Sequence, residues 1–186
     1  MKRFLNKLKY VFLKRIKPEI IGGWKNANGV YQEHTGISNM THISQSGENL
    51  YIGDNVFIGH FNYIDGNNAR LTIGDYVEIT NYVSILTHST HHSIRFSLNE
   101  KAKLTGPVTI GENSYIGPHS VIMPNTKIGK GCIISAFSYV DGEYPDYAIL
   151  RGQPAKVIGN TKEMDEKLLK EYPELLEHYY EKDENN

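Results

Sequence analysis

A parallel β-helix of about five triangular coils is the fold class this sequence predicts, and three observations predict it. An aliphatic residue recurs every six positions at Ile110, Ile116, Ile122, Ile128, Ile134 and Val140, a spacing produced by neither a 3.6-residue helix nor a two-residue strand alternation. The same phase runs upstream through the triplets Ile52, Ile58, Ile64 and Ile73, Ile79, Ile85. Ile37 and Ile43 precede them, with Tyr31 as a weak first member. The slips between triplets are three, three and nineteen residues, and each falls after the third side of a coil. The insertions therefore line one corner of the prism. Such edges of a repeat array are where binding and catalysis are usually built.

The elements follow in order. Residues 1–17 carry seven cations and no acid, while Phe4, Leu5, Leu8, Val11, Phe12 and Ile16 form one helical stripe. This predicts a short basic amphipathic helix ending before Pro18. It suits packing on the first coil or a neighbouring subunit, and it equally suits loose attachment to an anionic membrane surface. Residues 18–30 read as a linker with one aromatic anchor, Trp24. The β-helix domain spans 31–160 with an inserted loop at 86–109. Gly53, Gly59, Gly74, Gly111, Gly117 and Gly129 follow the aliphatic positions and predict backbone freedom at tight corners. At a strand spacing of roughly 4.8 Å, five coils make a shaft on the order of 24 Å. The stretch YPDYAILRGQPAKVIG reads as an irregular final side, with Pro145 and Pro154 opposing regular pairing. Residues 161–186 form an acidic helical tail that Pro173 breaks.

Composition narrows the function classes. The formal net charge of −1, without a basic aromatic patch, gives no reason to expect nucleic acid. A single cysteine, Cys132, supports neither a disulfide framework nor a cysteine metal cluster, and its place in the repeat predicts a small inward or corner residue. No apolar run approaches the roughly 18 residues of a membrane span, and no signal-peptide pattern is present. The expected location is cytoplasmic, with the inner face of the membrane as the place a basic helix would take it.

The chemistry concentrates in the longest insertion, where ILTHSTHHSIR carries three of the eight histidines, His88, His91 and His92. Imidazole titrates near neutral pH and suits a general base. It also ligates zinc, and a histidine in a loop is often polarity without a task. Clustering at the mouth of the only long insertion favours function.

The repeat, this loop and the ending RGQPAKVIG together resemble the hexapeptide-repeat acyltransferases, closest to the maltose/galactoside and surface-polysaccharide O-acetyltransferase branch. The resemblance covers roughly Leu50 to Gly159, and GPVTIGENSYIGPHSVIMPNTKIGKGCIISAFSYV carries most of it. It implies a left-handed parallel β-helix, a homotrimer with sites between subunits, and acetyl-CoA as co-substrate with no metal required. Relatives often read ILTHSHD with the second histidine as base. One extra residue here makes His91 the match and His88 its partner, since Thr90 in that column is no base. On the acceptor side the resemblance implies His60, with Asn62 two residues on, and His92. On the cofactor side it implies Gly117, Pro118 and Ala136 at corners of successive coils. Arg151 and Lys156 then stand at the end of the groove, where cations meet phosphates.

The implied activity is transfer of acetyl to a sugar hydroxyl in surface polysaccharide or lipopolysaccharide biosynthesis, with histidine as base and no covalent intermediate. Two other classes share the shaft. One is a γ-type carbonic anhydrase-like zinc protein, which needs three histidines converging across two subunits. The other is a noncatalytic β-helix scaffold.

Overall fold

The computed structural model describes residues 17–45, 49–97 and 102–179. The basic amphipathic stretch lies outside the described residues apart from Lys17. The six-residue period builds a left-handed parallel β-helix of three sheets, here called faces A, B and C. Ile37, Ile58, Ile79, Ile116, Ile134 and Leu150 align up face A. Ile43, Ile64, Ile85, Ile122 and Val140 align up face B. Ile52, Ile73, Ile110, Ile128 and finally Tyr144 align up face C. From Ile52 onwards each aliphatic member of these columns is at most 2% exposed. Each such side chain contributes about 1.5–3 kcal/mol by leaving water.

A second inward position lies two residues before each of these. In the lower coils it holds Leu50, Val56, Leu71, Val77 and Val83; in the upper coils it holds Ser114, Ser120, Thr126, Cys132 and Ser138. The small polar members bond to backbone of the same or neighbouring coil. Ser114 Oγ, for example, donates to the Gly129 carbonyl at 3.2 Å and accepts from the Cys132 N–H at 3.1 Å. Burial raises the pKa of the Cys132 thiol.

The glycines after the inward isoleucines serve a purpose other than turning. A Cβ on Gly111 would lie 2.5 Å from the Gly129 carbonyl carbon, and one on Gly117 would lie 2.6 Å from the Ala136 nitrogen. Glycine is needed because the next coil's backbone passes there. The left-handed turn comes two residues later, at Asn55, Phe61, Tyr76, Tyr82, Asn113, His119, Asn125, Phe137 and Tyr147, with φ between 54° and 66°. On the edge between faces A and B these residues are rings, and they stack. Centroids are 5.2 Å apart for Phe61–Tyr82, 4.9 Å for Tyr82–His119 and 4.8 Å for His119–Phe137, with interplanar angles of 16° or less. The rise per coil matches a strand spacing, so each ring lands on the next. Stacking then offsets the strain of a non-glycine left-handed residue.

The insertions all fall where the chain passes from face B to face C: after Ile43, after Ile64 and after Ile85. Two expectations about the ends are corrected. Residues 20–25 are no linker but a strand, β1 (Ile20–Lys25), paired antiparallel with β2 (Tyr31–Ser38). Tyr31 consequently sits opposite Lys25 and is 61% exposed, outside the inward columns. The final side is also paired, with one register shift between Ile149 and Leu150. Ala148–Gly152 adds to face A and pairs antiparallel with Ala155–Asn160, because Pro154 occupies the turn between them. Helix α2 (Thr161–Glu171) follows, with Asn160 accepting the Lys162 N–H at its start, and a 3-10 turn begins at Pro173. Among the described residues no helix is long and apolar enough to cross a membrane.

Candidate active site

The longest insertion is pinned at its base. His88–Ser89 pairs antiparallel with Leu104–Thr105, and the Gly106 N–H donates to the Thr87 carbonyl at 3.1 Å. This ribbon holds His88 over the coil below, where the preceding insertion begins at Asp65. The Asp65 side chain is 1% exposed and faces His88 Nδ1 at 2.6 Å. Thr87 Oγ1 donates to the same carboxylate oxygen at 2.8 Å, and the Asn67 N–H donates to the other at 3.0 Å. Burial opposes ionisation of Asp65, but the hydrogen bonds from His88, Asn67 and Thr87 outweigh it and hold the carboxyl below its ordinary pKa. An ionised carboxylate only accepts, so His88 carries its proton on Nδ1 and leaves Nε2 as the ring's basic atom when neutral.

Asn68 completes the cluster. Lys103 Nζ donates to its Oδ1 at 2.5 Å, which turns the amide nitrogen toward Asp65, where it donates to Oδ2 at 3.3 Å. Asp65, Asn68 and Lys103 went unidentified in the sequence reading. The usable signal was an acid opening one insertion directly beneath the histidine that opens the next.

His91 stands apart from this cluster. It begins the short helix α1 (His91–Arg95), is exposed, and meets Ser89 Oγ through Nδ1 at 2.7 Å. His92 is exposed beside it, with ring centroids 4.0 Å apart. Asn62 differs from expectation. It occupies a second inward position at 3% exposure; its amide donates to the Gly59 and Thr80 carbonyls and accepts from the Val83 N–H. All of its polar atoms are engaged with backbone, so it braces two coils and has nothing left for an acceptor. His60 is half-buried on the A/B edge with Nδ1 2.6 Å from Ser38 Oγ.

The remaining candidates gather on that same A/B edge, higher up. Gly117 and Pro118 precede His119, and Ala136 precedes Phe137 one coil above. Gln153 Nε2 donates to the Phe137 carbonyl at 2.8 Å and ties the final turn to the top of this edge. Arg151 and Lys156 face each other across that turn's two strands, both exposed. Like charges directly opposite one another are unfavourable in a sheet, so this pair suits an anion. Within one chain His88, His91 and His92 thus lie on the B/C edge and the cofactor candidates on the A/B edge, with face B between them.

Comparison with known proteins agrees with the fold. Residues 107–142 match the family described as bacterial transferase hexapeptide (six repeats). The chain is 34% identical over 139 residues to the galactoside O-acetyltransferase of Escherichia coli K12, covering 74% of this chain and 61% of that protein. It spans between 38% and 60% of the length of two further curated acetyltransferases, from Saccharomyces cerevisiae and Mycobacterium tuberculosis. A maltose O-acetyltransferase structure from Clostridium difficile 630 superposes with a TM-score of 0.53 at 28% identity, covering 66% of this chain and 67% of that one. A hexapeptide-repeat acetyltransferase of Vibrio cholerae, solved with acetyl coenzyme A, superposes with a TM-score of 0.55 at 28% identity, covering 64% of each chain. Residues 107–142 thus carry the bacterial transferase hexapeptide repeat, and over the shaft the chain is similar to hexapeptide-repeat acetyltransferases.

Proposed function

We propose that this protein transfers acetyl from acetyl-CoA to a hydroxyl of a sugar in surface-polysaccharide or lipopolysaccharide synthesis, with His88 as general base. The observation that carries the reading is the buried Asp65 carboxylate on His88 Nδ1. It orients the ring and compensates the imidazolium that forms. Nε2 takes the proton of the acceptor hydroxyl as its oxygen attacks the thioester carbonyl. Backbone N–H groups at the corner steady the oxyanion. Collapse expels the CoA thiolate, which takes the proton back from His88, so no covalent enzyme intermediate forms. His91 and His92, exposed at the mouth, suit contact with the acceptor better than proton transfer.

The site needs a second copy, and a cyclic trimer supplies it. With the shafts parallel about a threefold axis, the B/C edge of one copy approaches the A/B edge of the next at equal height. His88 leaves the third coil, Pro118 and Ala136 lie on the fourth and fifth, and Arg151 and Lys156 follow at the end. The thioester, pantetheine arm and phosphates of acetyl-CoA occur in that order. The acetyl-CoA complex of the Vibrio cholerae relative supports this choice of donor.

The test is release of free CoA from acetyl-CoA against a panel of mono- and oligosaccharides, together with sedimentation. Acceptor-dependent CoA release by a trimer is the expected result. A monomer at micromolar concentration, or no release with any hydroxylated acceptor, contradicts the reading. Lys156→Glu should raise the apparent acetyl-CoA constant more than it lowers turnover, because it touches a part of the cofactor remote from the thioester.

A further inference from the structure

We propose that Asn68 and Lys103 are positioning residues for the base: Lys103, through the Asn68 amide, keeps the Asp65 carboxylate on His88 and so sets turnover without touching donor or acceptor. The inference rests on His88 as the base. Bonds on the B/C edge join the stretches that follow Ile43, Ile64 and Ile85. Ser44 pairs in register with Asp65, and the Asn67 amide nitrogen donates to Ser44 Oγ. The Asn67 main-chain N–H donates to Asp65 Oδ1 at 3.0 Å, the turn an aspartate makes with the residue two positions on. This turn, in the sequence DGNN, brings Asn68 back beside the carboxylate. Lys103 arrives from 35 residues further along, at the start of the return strand Leu104–Thr105 that pairs with His88–Ser89. The strand that passes His88 therefore also delivers the cation.

The Asn68 amide is fixed from both ends. An ammonium only donates, so Lys103 takes the oxygen; an ionised carboxylate only accepts, so Asp65 takes the nitrogen. A cation on the amide oxygen also polarises the amide N–H and strengthens its bond to the carboxylate. The Asp65 side chain is 1% exposed, so water cannot replace a lost donor there. The remaining donors to it, the Thr87 hydroxyl and the main-chain N–H groups of Thr87 and Asn67, are neutral. Lys103 adds a full positive charge, one amide away from the carboxylate. Without it the buried carboxyl is better neutral, and a neutral carboxyl offers no charge to balance an imidazolium.

Asn68→Asp separates this role from a plain bolt between two insertions. It keeps an acceptor for Lys103 but withdraws the N–H from Asp65 and sets a second negative charge beside it. Turnover in the CoA-release assay should fall about tenfold with the acetyl-CoA constant unchanged, and Lys103→Met should match it. Lys103→Arg should recover most of the loss. In the Asp65→Asn background, Lys103→Met should cost less than about twofold more, because the carboxylate it serves is gone. Wild-type turnover in Asn68→Asp, or the full loss from Lys103→Met without Asp65, overturns the proposal. A second readout needs no acceptor and does not depend on which residue is the base. In protein labelled with ¹⁵N-histidine, the His88 Nδ1 proton, assigned with His88→Gln, should exchange with solvent roughly tenfold faster in Asn68→Leu and Lys103→Met than in wild type. Equal exchange in all three overturns the proposal even if His88→Ala is inactive; an active His88→Ala with faster exchange in the variants removes the base and leaves the positioning of the ring established.

Discussion

The A/B and B/C edges of the prism are built from the same repeat and have opposite characters. The A/B edge has no insertions, and its four left-handed positions, Phe61, Tyr82, His119 and Phe137, stack into a continuous column. The B/C edge keeps one left-handed turn of the repeat, Asn125, and elsewhere opens into insertions that carry Asp65, Asn68, His88 and Lys103. Regularity yields a rigid rail; interruption yields converging polar side chains. A site needs both, because a loop can aim a base only against something fixed.

The comparison can be broken where its regular half is tightest. Gly117→Ala places a methyl 2.6 Å from the Ala136 nitrogen. It should cost on the order of 3 kcal/mol, or roughly 6–12 °C in Tm by thermal melt. Asn62→Ala comes next: it strands the Thr80 carbonyl and the Val83 N–H, while the Gly59 carbonyl keeps the Thr41 hydroxyl at 2.6 Å. A loss of about 2 kcal/mol in urea unfolding is expected, with the acetyl-CoA constant unchanged. Smaller again is Tyr82→Ala, which removes two stacking contacts for roughly 1 kcal/mol. Tyr82→Gly should cost less, because glycine relieves the φ of 60°. If glycine is the worse of the two, stacking alone shapes that edge and dihedral strain does not matter there.

The smallest effect belongs to the interrupted edge and appears only in acid. The Asp65 pKa is depressed in the folded protein, so ionised Asp65 stabilises the fold. That contribution is present above the ordinary carboxylate pKa of about 3.9 and is lost as pH falls through the lower native value. Asp65→Asn should flatten the acid limb of Tm against pH below about pH 4, leaving the A/B edge unaffected. An acid limb as steep as wild type would mean that other carboxylates govern it.

These two edges were unequally legible in the sequence. The inward isoleucines and the position of the insertions were plain, because a shaft forces one aliphatic residue per side and interruptions of a strict period are visible. The glycines were visible but pointed to the wrong cause. Their spacing suggested corner turning, whereas the turns fall on Phe, Tyr, His and Asn, and the glycines make room for the next coil. The strand Ile20–Lys25 was hidden because its Gly22–Gly23 pair erases any alternation. Asp65 was hidden for another reason. YIDG reads as one more side of a coil, and only the folded loop after Ile85 brings His88 onto that acid. The choice between His88 and His91 likewise depends on which side chain meets a carboxylate from the coil below, which spacing within ILTHSTHHS does not encode.

The central claim is therefore that the histidine held by Asp65 is the base. The most direct measurement is turnover with saturating acetyl-CoA for His88→Ala and His91→Ala side by side. General-base catalysis contributes about 10²–10⁴-fold, so His88→Ala should lose roughly that factor with little change in the acetyl-CoA constant. His91→Ala should retain turnover to within about tenfold and change the acceptor constant instead. A dead His91→Ala beside an active His88→Ala would contradict the account and transfer the role of base to the exposed histidine.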